Sequence, residues 1–152
     1  MFMTDTRWLD DDEQEAWRAY LDATRLLLHT LDRQLAHDEG ISFTDFELLV
    51  VLSESPGGRL RMSELADAVT TTRSGVTRAI TRLVDAGWVV RAECEDDRRG
   101  TLAELTGAGR DKLSSASPGH VKAVRANMFD LMKPEDVMAL KNTYSAMRAH
   151  MT

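Results

Sequence analysis

The sequence predicts a mainly helical α+β fold: a winged helix-turn-helix flanked by long helices. Three observations carry this. A short apolar helical segment at 63–69 is followed, after Thr70-Thr71-Thr72, by a second one at 73–86; short helix, tight turn and second helix outline a helix-turn-helix. Two strand-like stretches at 88–94 and 101–105 follow at once, around a charged turn at 95–100, which is a hairpin pattern. Apolar residues at helical spacing run through both ends of the chain.

The first helix is expected over 12–37. Trp17, Tyr20, Leu21, Leu27, Leu28, Leu31 and Leu35 form one stripe, and Asp11 or Asp12 suits its cap. Gly40-Ile41-Ser42 breaks the pattern. Thr44-Asp45-Phe46-Glu47 has the spacing of a capping box, and the helix it opens ends at Ser55-Pro56-Gly57-Gly58. The alternation in Arg59-Leu60-Arg61-Met62 suggests an edge strand, and Ser63 suits the cap of the short helix. The second helix of the pair stops at Gly87, a natural left-handed cap. Thr106 caps a helix through Leu113, and Ser117-Pro118 is expected to interrupt it. A helix over 119–132 and a last one opened by Pro134, with Val137, Leu140, Tyr144 and Met147 on one face, complete the chain.

The net charge of −6 at first argues against a nucleic-acid partner. Its distribution answers the objection. Residues 1–16 hold six acids and one base, so the rest of the chain sits near −1. Between Thr71 and Val84 there are three arginines and no acid. Local field decides, because charges more than about 10 Å apart are screened at physiological salt.

The helix at 73–86 carries the functional reading. Val76, Ile80, Leu83 and Val84 share one side, while Ser74, Thr77, Arg78, Thr81 and Arg82 share the other. Exposed helix faces ordinarily mix Lys with Glu; donors and small hydroxyls without a carboxylate suit a helix entering a major groove. At the hairpin tip, Arg98 and Arg99 follow Asp97. Guanidinium groups there suit the negative potential of a narrow minor groove, and Asp97 can brace one of them, since Arg–carboxylate forks fix direction.

These residues resemble the MarR family, the multiple-antibiotic-resistance regulators. The likeness runs from Trp17 to about Met147. It rests on Asp97-Arg98-Arg99-Gly100 followed by Leu105-Thr106, on Met62-Ser63-Glu64-Leu65-Ala66, and on Ser74-Gly75-Val76-Thr77-Arg78 followed by Leu83-Val84-Asp85-Ala86-Gly87-Trp88-Val89. The resemblance implies a homodimeric transcriptional regulator, a repressor binding a pseudo-palindromic operator in double-stranded DNA. It implies dimerisation through 12–38 and 107–150 and a DNA-binding unit over 42–106. Ser74, Thr77, Arg78, Thr81 and Arg82 would lie on the recognition helix, Asp97, Arg98 and Arg99 on the wing, and Arg73 and Ser63 against phosphate. It also implies a small aromatic or phenolic effector, for which Trp17, Tyr20 and His29 are the candidate lining. The sequence departs from the family at Ala103, at Ser117-Pro118-Gly119 and at Lys133, which replaces a hydroxyl before Pro134.

Other functions find less support. No glycine-rich phosphate loop, nucleophile elbow or metal motif is present, so an enzyme is not expected. No cofactor or metal is expected either: His29, His37, His120 and His150 lack ligand spacing, and Cys94, the single cysteine, suits a buried structural thiol. No stretch approaches the roughly 20 apolar residues of a membrane span. The acidic first residues lack a signal peptide's order, so a cytoplasmic protein is the expectation. The competing reading is a winged helix used for protein contacts through its acidic arm; the acid-free arginine face separates the two.

Overall fold

The computed structural model describes residues 5–69, 72–94 and 97–152; for residue 73 and for 97–99 it describes the backbone alone. The chain runs α1 (Asp11–Glu39), α2 (Phe43–Glu54), a 3-10 turn (Pro56–Gly58), β1 (Arg59–Arg61), α3 (Met62–Ala68), α4 (Arg73–Asp85), β2 (Val89–Cys94), β3 (Asp97–Leu105), α5 (Gly107–Asn127), a second 3-10 turn (Phe129–Leu131) and α6 (Pro134–Met151). The mainly helical fold with a hairpin after a helix-turn-helix is what the sequence predicts.

The core centres on α2. Phe46, Leu48, Leu49 and Leu52 are buried against Leu65 and Ala66 of α3, Val76, Ala79, Ile80 and Leu83 of α4, Val89 of β2, Ala103 and Leu105 of β3, and Ala116 of α5. The first helix reaches this core only through its last turns, at Leu35, while α6 holds no buried residue. Ala103 is fully buried where β3 runs between its two neighbours, so the small side chain there fits a crowded position.

The sheet is antiparallel in the order β1-β3-β2. The edge strand read from the sequence pairs Leu60 with Ala103. The return strand begins earlier than expected, at Asp97, with a register shift after Glu93. Cys94 sits at that irregularity and is half-buried, a correction to the expected buried thiol. Thr106 ties the base of the hairpin. Its hydroxyl donates to the Gly87 carbonyl at 2.7 Å and accepts from the Gly109 amide at 3.0 Å, so one residue closes the turn after α4 and caps α5.

Helix starts differ from expectation in instructive ways. Asp10, not Asp11 or Asp12, caps α1, in a reciprocal box with Glu13. Ser42 caps α2 by accepting from the Asp45 amide, so Thr44 lies inside the helix. At α3 the Glu64 carboxylate takes the Arg61 amide, which leaves Ser63 half-buried in the first turn and not at the cap. Before α6, Asp136 accepts from the Lys133 amide at 3.0 Å and supplies the cap that Lys133 itself lacks.

The largest departure is α5, which continues through Pro118 instead of breaking there. Proline inside a helix removes one hydrogen bond and costs about 3 kcal/mol. Packing along α1 and α2 outweighs it: Ala116 is buried, and Gly119 faces Gln34 so closely that a Cβ would lie 3.1 Å from its amide nitrogen. The same helix is tied to the end of α1 by Lys112, whose ammonium donates to the Glu39 carbonyl and carboxylate, and by Ser115, whose hydroxyl donates to that carboxylate at 3.0 Å. The lysine also lies 5.3 Å from the centre of the Trp88 ring. Among the described residues, no helix is long and apolar enough to cross a membrane.

Candidate nucleic-acid interface

The helix α4 starts where Thr72 accepts from the Gly75 amide at 3.1 Å. Val76, Ala79, Ile80 and Leu83 bury its apolar side, and this fixes the opposite side toward solvent. Ser74, Thr77, Arg78, Thr81 and Arg82 are all exposed there, as the sequence predicts.

Their hydrogen bonds divide these residues into different roles. Ser74 shares a bond with the capping Thr72 hydroxyl at 3.3 Å. Thr81 donates to the Thr77 carbonyl at 2.9 Å and accepts from the Arg91 guanidinium of β2 at 2.7 Å. That bond joins α4 to the hairpin. Arg91 has no signal in the sequence beyond its place on a strand, and sequence reasoning missed it.

Arg82 is also engaged. Its Nε and Nη2 fork onto Asp45 of α2, at 3.2 and 2.7 Å. The Asp45 residue is 8% exposed, a buried carboxylate with its charge met. Its hydrogen bond holds the Arg82 guanidinium above its already high ordinary pKa. The pair spans 37 positions in sequence, so no local pattern announces it. On the wheel Arg82 sits at the border of the exposed arc, nearest α2. Arg78, one turn earlier, has no hydrogen-bond or ion-pair partner among the described residues. The side chains of Arg73, Asp97, Arg98 and Arg99 lie outside the described residues; the backbone of 97–99 belongs to β3.

Comparison with known proteins decides the family. The model of the MarR family matches residues 39–100. The crystal structure of Sco3205 from Streptomyces coelicolor, a MarR family transcriptional regulator in complex with DNA, superposes with a TM-score of 0.93 at 43% identity, over 97% of this chain and 92% of that one. The chain belongs to the MarR family. A second MarR family regulator from Streptomyces coelicolor, AbsC, gives a TM-score of 0.90 at 43% identity, over 96% of this chain and 98% of that one. The HTH-type transcriptional repressor YetL of Bacillus subtilis is 27% identical over 133 residues, 88% of this chain and 79% of that one. This protein is a MarR-family transcriptional regulator, and the family is one of regulators, not of enzymes.

In this MarR-family chain Trp17 and Tyr20 of the expected effector lining come together in the protomer, and His29 lies apart from them. Trp17 and Tyr20 stack with ring centres 5.9 Å apart, and Tyr20 stacks on Tyr144 of α6 at 5.6 Å. His29 lies nine residues beyond Tyr20 on the same helix, about half a turn out of phase at roughly 100° per residue. It lines a separate shallow recess with Arg33, Gln34 and His37. A more apolar recess lies elsewhere, between α2 and α5, where Phe43, Phe46, Val50 and Val69 meet His120 and Glu47.

Proposed function

We propose that this MarR-family regulator binds duplex DNA as a homodimer and represses by covering a promoter. The observation that carries the reading is the solvent face of α4, free of acids from Ser74 to Arg82, on which Arg78 stands without a partner among the described residues. The DNA complex of Sco3205, at 43% identity, supports it. Ser74, Thr77 and Arg78 enter a major groove; Asp97, Arg98 and Arg99 bring the wing to the adjacent minor groove; Arg73, Ser63 and Arg91 serve phosphates.

Residues 42–106 form the DNA-binding part, and 12–38 with 107–150 the dimerisation part. Exposed Trp17, Leu26 and Leu28 of α1, Val121 of α5, and Met138 and Met147 of α6 support a second copy as the partner of those helices, since apolar faces of this extent mark interfaces. A small aromatic effector fits the recess of Phe43, Phe46 and His120, because apolar walls meet there with an imidazole Nδ1 that has no hydrogen-bond partner among the described residues.

The test is affinity for duplex DNA against salt. A steep log–log loss is expected, close to one unit for each phosphate contact; a flat response overturns the reading. On a duplex selected with the parent from a random pool, Arg78→Ala is expected to cost about 1–3 kcal/mol and to relax preference at the bases it meets. Parent-like selectivity in that variant would remove Arg78 from the interface.

A further inference from the structure

The exposed arc of α4 carries two arginines one turn apart, and the fold treats them differently. Arg78 is free among the described residues, whereas Arg82 is forked onto Asp45. The carboxylate is held as firmly as the guanidinium. Asp45 sits in the first turn of α2, its amide on the Ser42 hydroxyl at 3.1 Å, at the helix end where negative charge is favoured. It is buried, and Phe46 beside it packs on His120 of α5. A buried carboxylate without its cation is strongly unfavourable, so the pair stays closed. Yet the Arg82 side chain remains 57% exposed. Released from Asp45, it would stand on the same face as Arg78 as a second mobile cation.

A mobile cation is attracted to any phosphate, whatever the sequence, and such contacts make up non-specific affinity. A cation neutralised and pointed by a fixed carboxylate contributes little to it. We propose that Asp45 is a specificity-determining residue: by anchoring and neutralising Arg82, it leaves Arg78 as the free arginine of the α4 face among the described residues and holds α4 in register on α2. The inference rests on the DNA-binding reading above and assigns a role to a residue that need not touch DNA. Like-charge crowding of the interface is avoided by an intramolecular partner, and discrimination gains what general affinity loses.

Asp45→Asn tests this, because it keeps the shape and removes the charge. Two duplexes serve as probes: one selected with the parent from a random pool, and a shuffled duplex of the same length and composition. One freed phosphate contact steepens the salt slope by about 0.9 unit, which at 0.15 M salt corresponds to roughly a fivefold gain. Asp45→Asn is therefore expected to bind the shuffled duplex about fivefold more tightly and the selected duplex no better than the parent. The gain should vanish in the double variant Asp45→Asn/Arg82→Ala, which has no arginine to release. Arg82→Ala alone should leave the salt slope on shuffled duplex unchanged. Parallel weakening on both duplexes by Asp45→Asn, or no change on either, overturns the proposal and leaves the pair as packing. So does a slope that falls by about 0.9 unit in Arg82→Ala, which would make Arg82 a phosphate contact despite Asp45. A parent that binds neither duplex in a salt-dependent way overturns the DNA-binding reading instead, and this inference with it.

Discussion

His120 of α5 lies against Phe46 of α2 with ring centres 4.6 Å apart, and its Nδ1 is buried without a hydrogen-bond partner among the described residues. Phe43 flanks it at 5.9 Å. The contact joins a flanking helix to the helix that supports α4, and it does so with an ionisable side chain.

Burial holds the His120 imidazole below its ordinary pKa of 6.5. As pH falls below that value the unfolded chain takes up the proton first, so stability falls and goes on falling until the folded pKa is passed. His120→Phe fills the same space without the titration. The stability difference between variant and parent, read from urea midpoints at several pH values between about 7 and 5, should move in favour of the variant as pH drops. A difference that stays constant across that range means the site does not exclude the charged form.

Glu47, at the same recess, behaves with the opposite sign. Desolvation holds its carboxyl above the ordinary 4.5. Above that value the unfolded chain releases its proton first, so the folded state loses stability as pH rises through the folded pKa and recovers it only in acid. Glu47→Gln is expected to be more stable than the parent at neutral pH and indistinguishable from it in acid. Urea unfolding at the two ends of that range decides; equal stability at neutral pH would place the carboxylate in full contact with water.

How much of this was legible beforehand follows from the range over which each signal acts. The helix-turn-helix and hairpin were legible because periodicity and turn residues are local. The exposed α4 face followed directly, since burying Val76, Ile80 and Leu83 dictates where Arg78 points. Contacts that depend on the folded arrangement were hidden. Asp45 reads in sequence only as a position between Thr44 and Glu47 of the expected capping box, and becomes the partner of Arg82 only when α2 and α4 meet. Pro118 reads as a helix end, and tertiary packing overrides it. Trp17, Tyr20 and His29 look alike as aromatic residues on one helix, but helical phase separates His29 from the other two.

Two glycines at the start of α5 should respond oppositely to the same substitution. A Cβ on Gly109 would lie 2.2 Å from the Trp88 carbonyl oxygen and 2.7 Å from a Leu105 methyl, whereas one on Gly107 meets nothing within 4 Å. Gly109→Ala must therefore push α5 off the base of the hairpin, and overpacking of this kind costs about 1–3 kcal/mol or more. Gly107→Ala should be neutral or stabilising by up to about 1 kcal/mol, through the lower entropy of its unfolded chain. Chemical denaturation of both variants checks the contrast; similar losses for the two would show that helix propensity, and not the Trp88 contact, sets the effect.

The dimer is tested best at a residue that the protomer does not need. Leu131, in the turn between α5 and α6, is 79% exposed in the protomer, and Val121 of α5 and Met138 of α6 are more than half exposed as well. Leu131→Asp removes no buried contact from the protomer, so its helical signal and its unfolding cooperativity should match the parent. At a dimer interface the same change buries a charge in an apolar setting, a penalty of several kcal/mol that lowers association by 100-fold or more on the order of 1.4 kcal/mol per tenfold step. Sedimentation should then show a monomer at concentrations where the parent is a dimer. On the dimeric DNA-binding reading proposed above, affinity for the selected duplex should fall with it, because two α4 helices spaced for half-sites about 34–36 Å apart would become independent. An unchanged dimer would move the interface away from this turn, while a parent that is itself monomeric would leave the exposed stripes of α1 and α6 to a different partner.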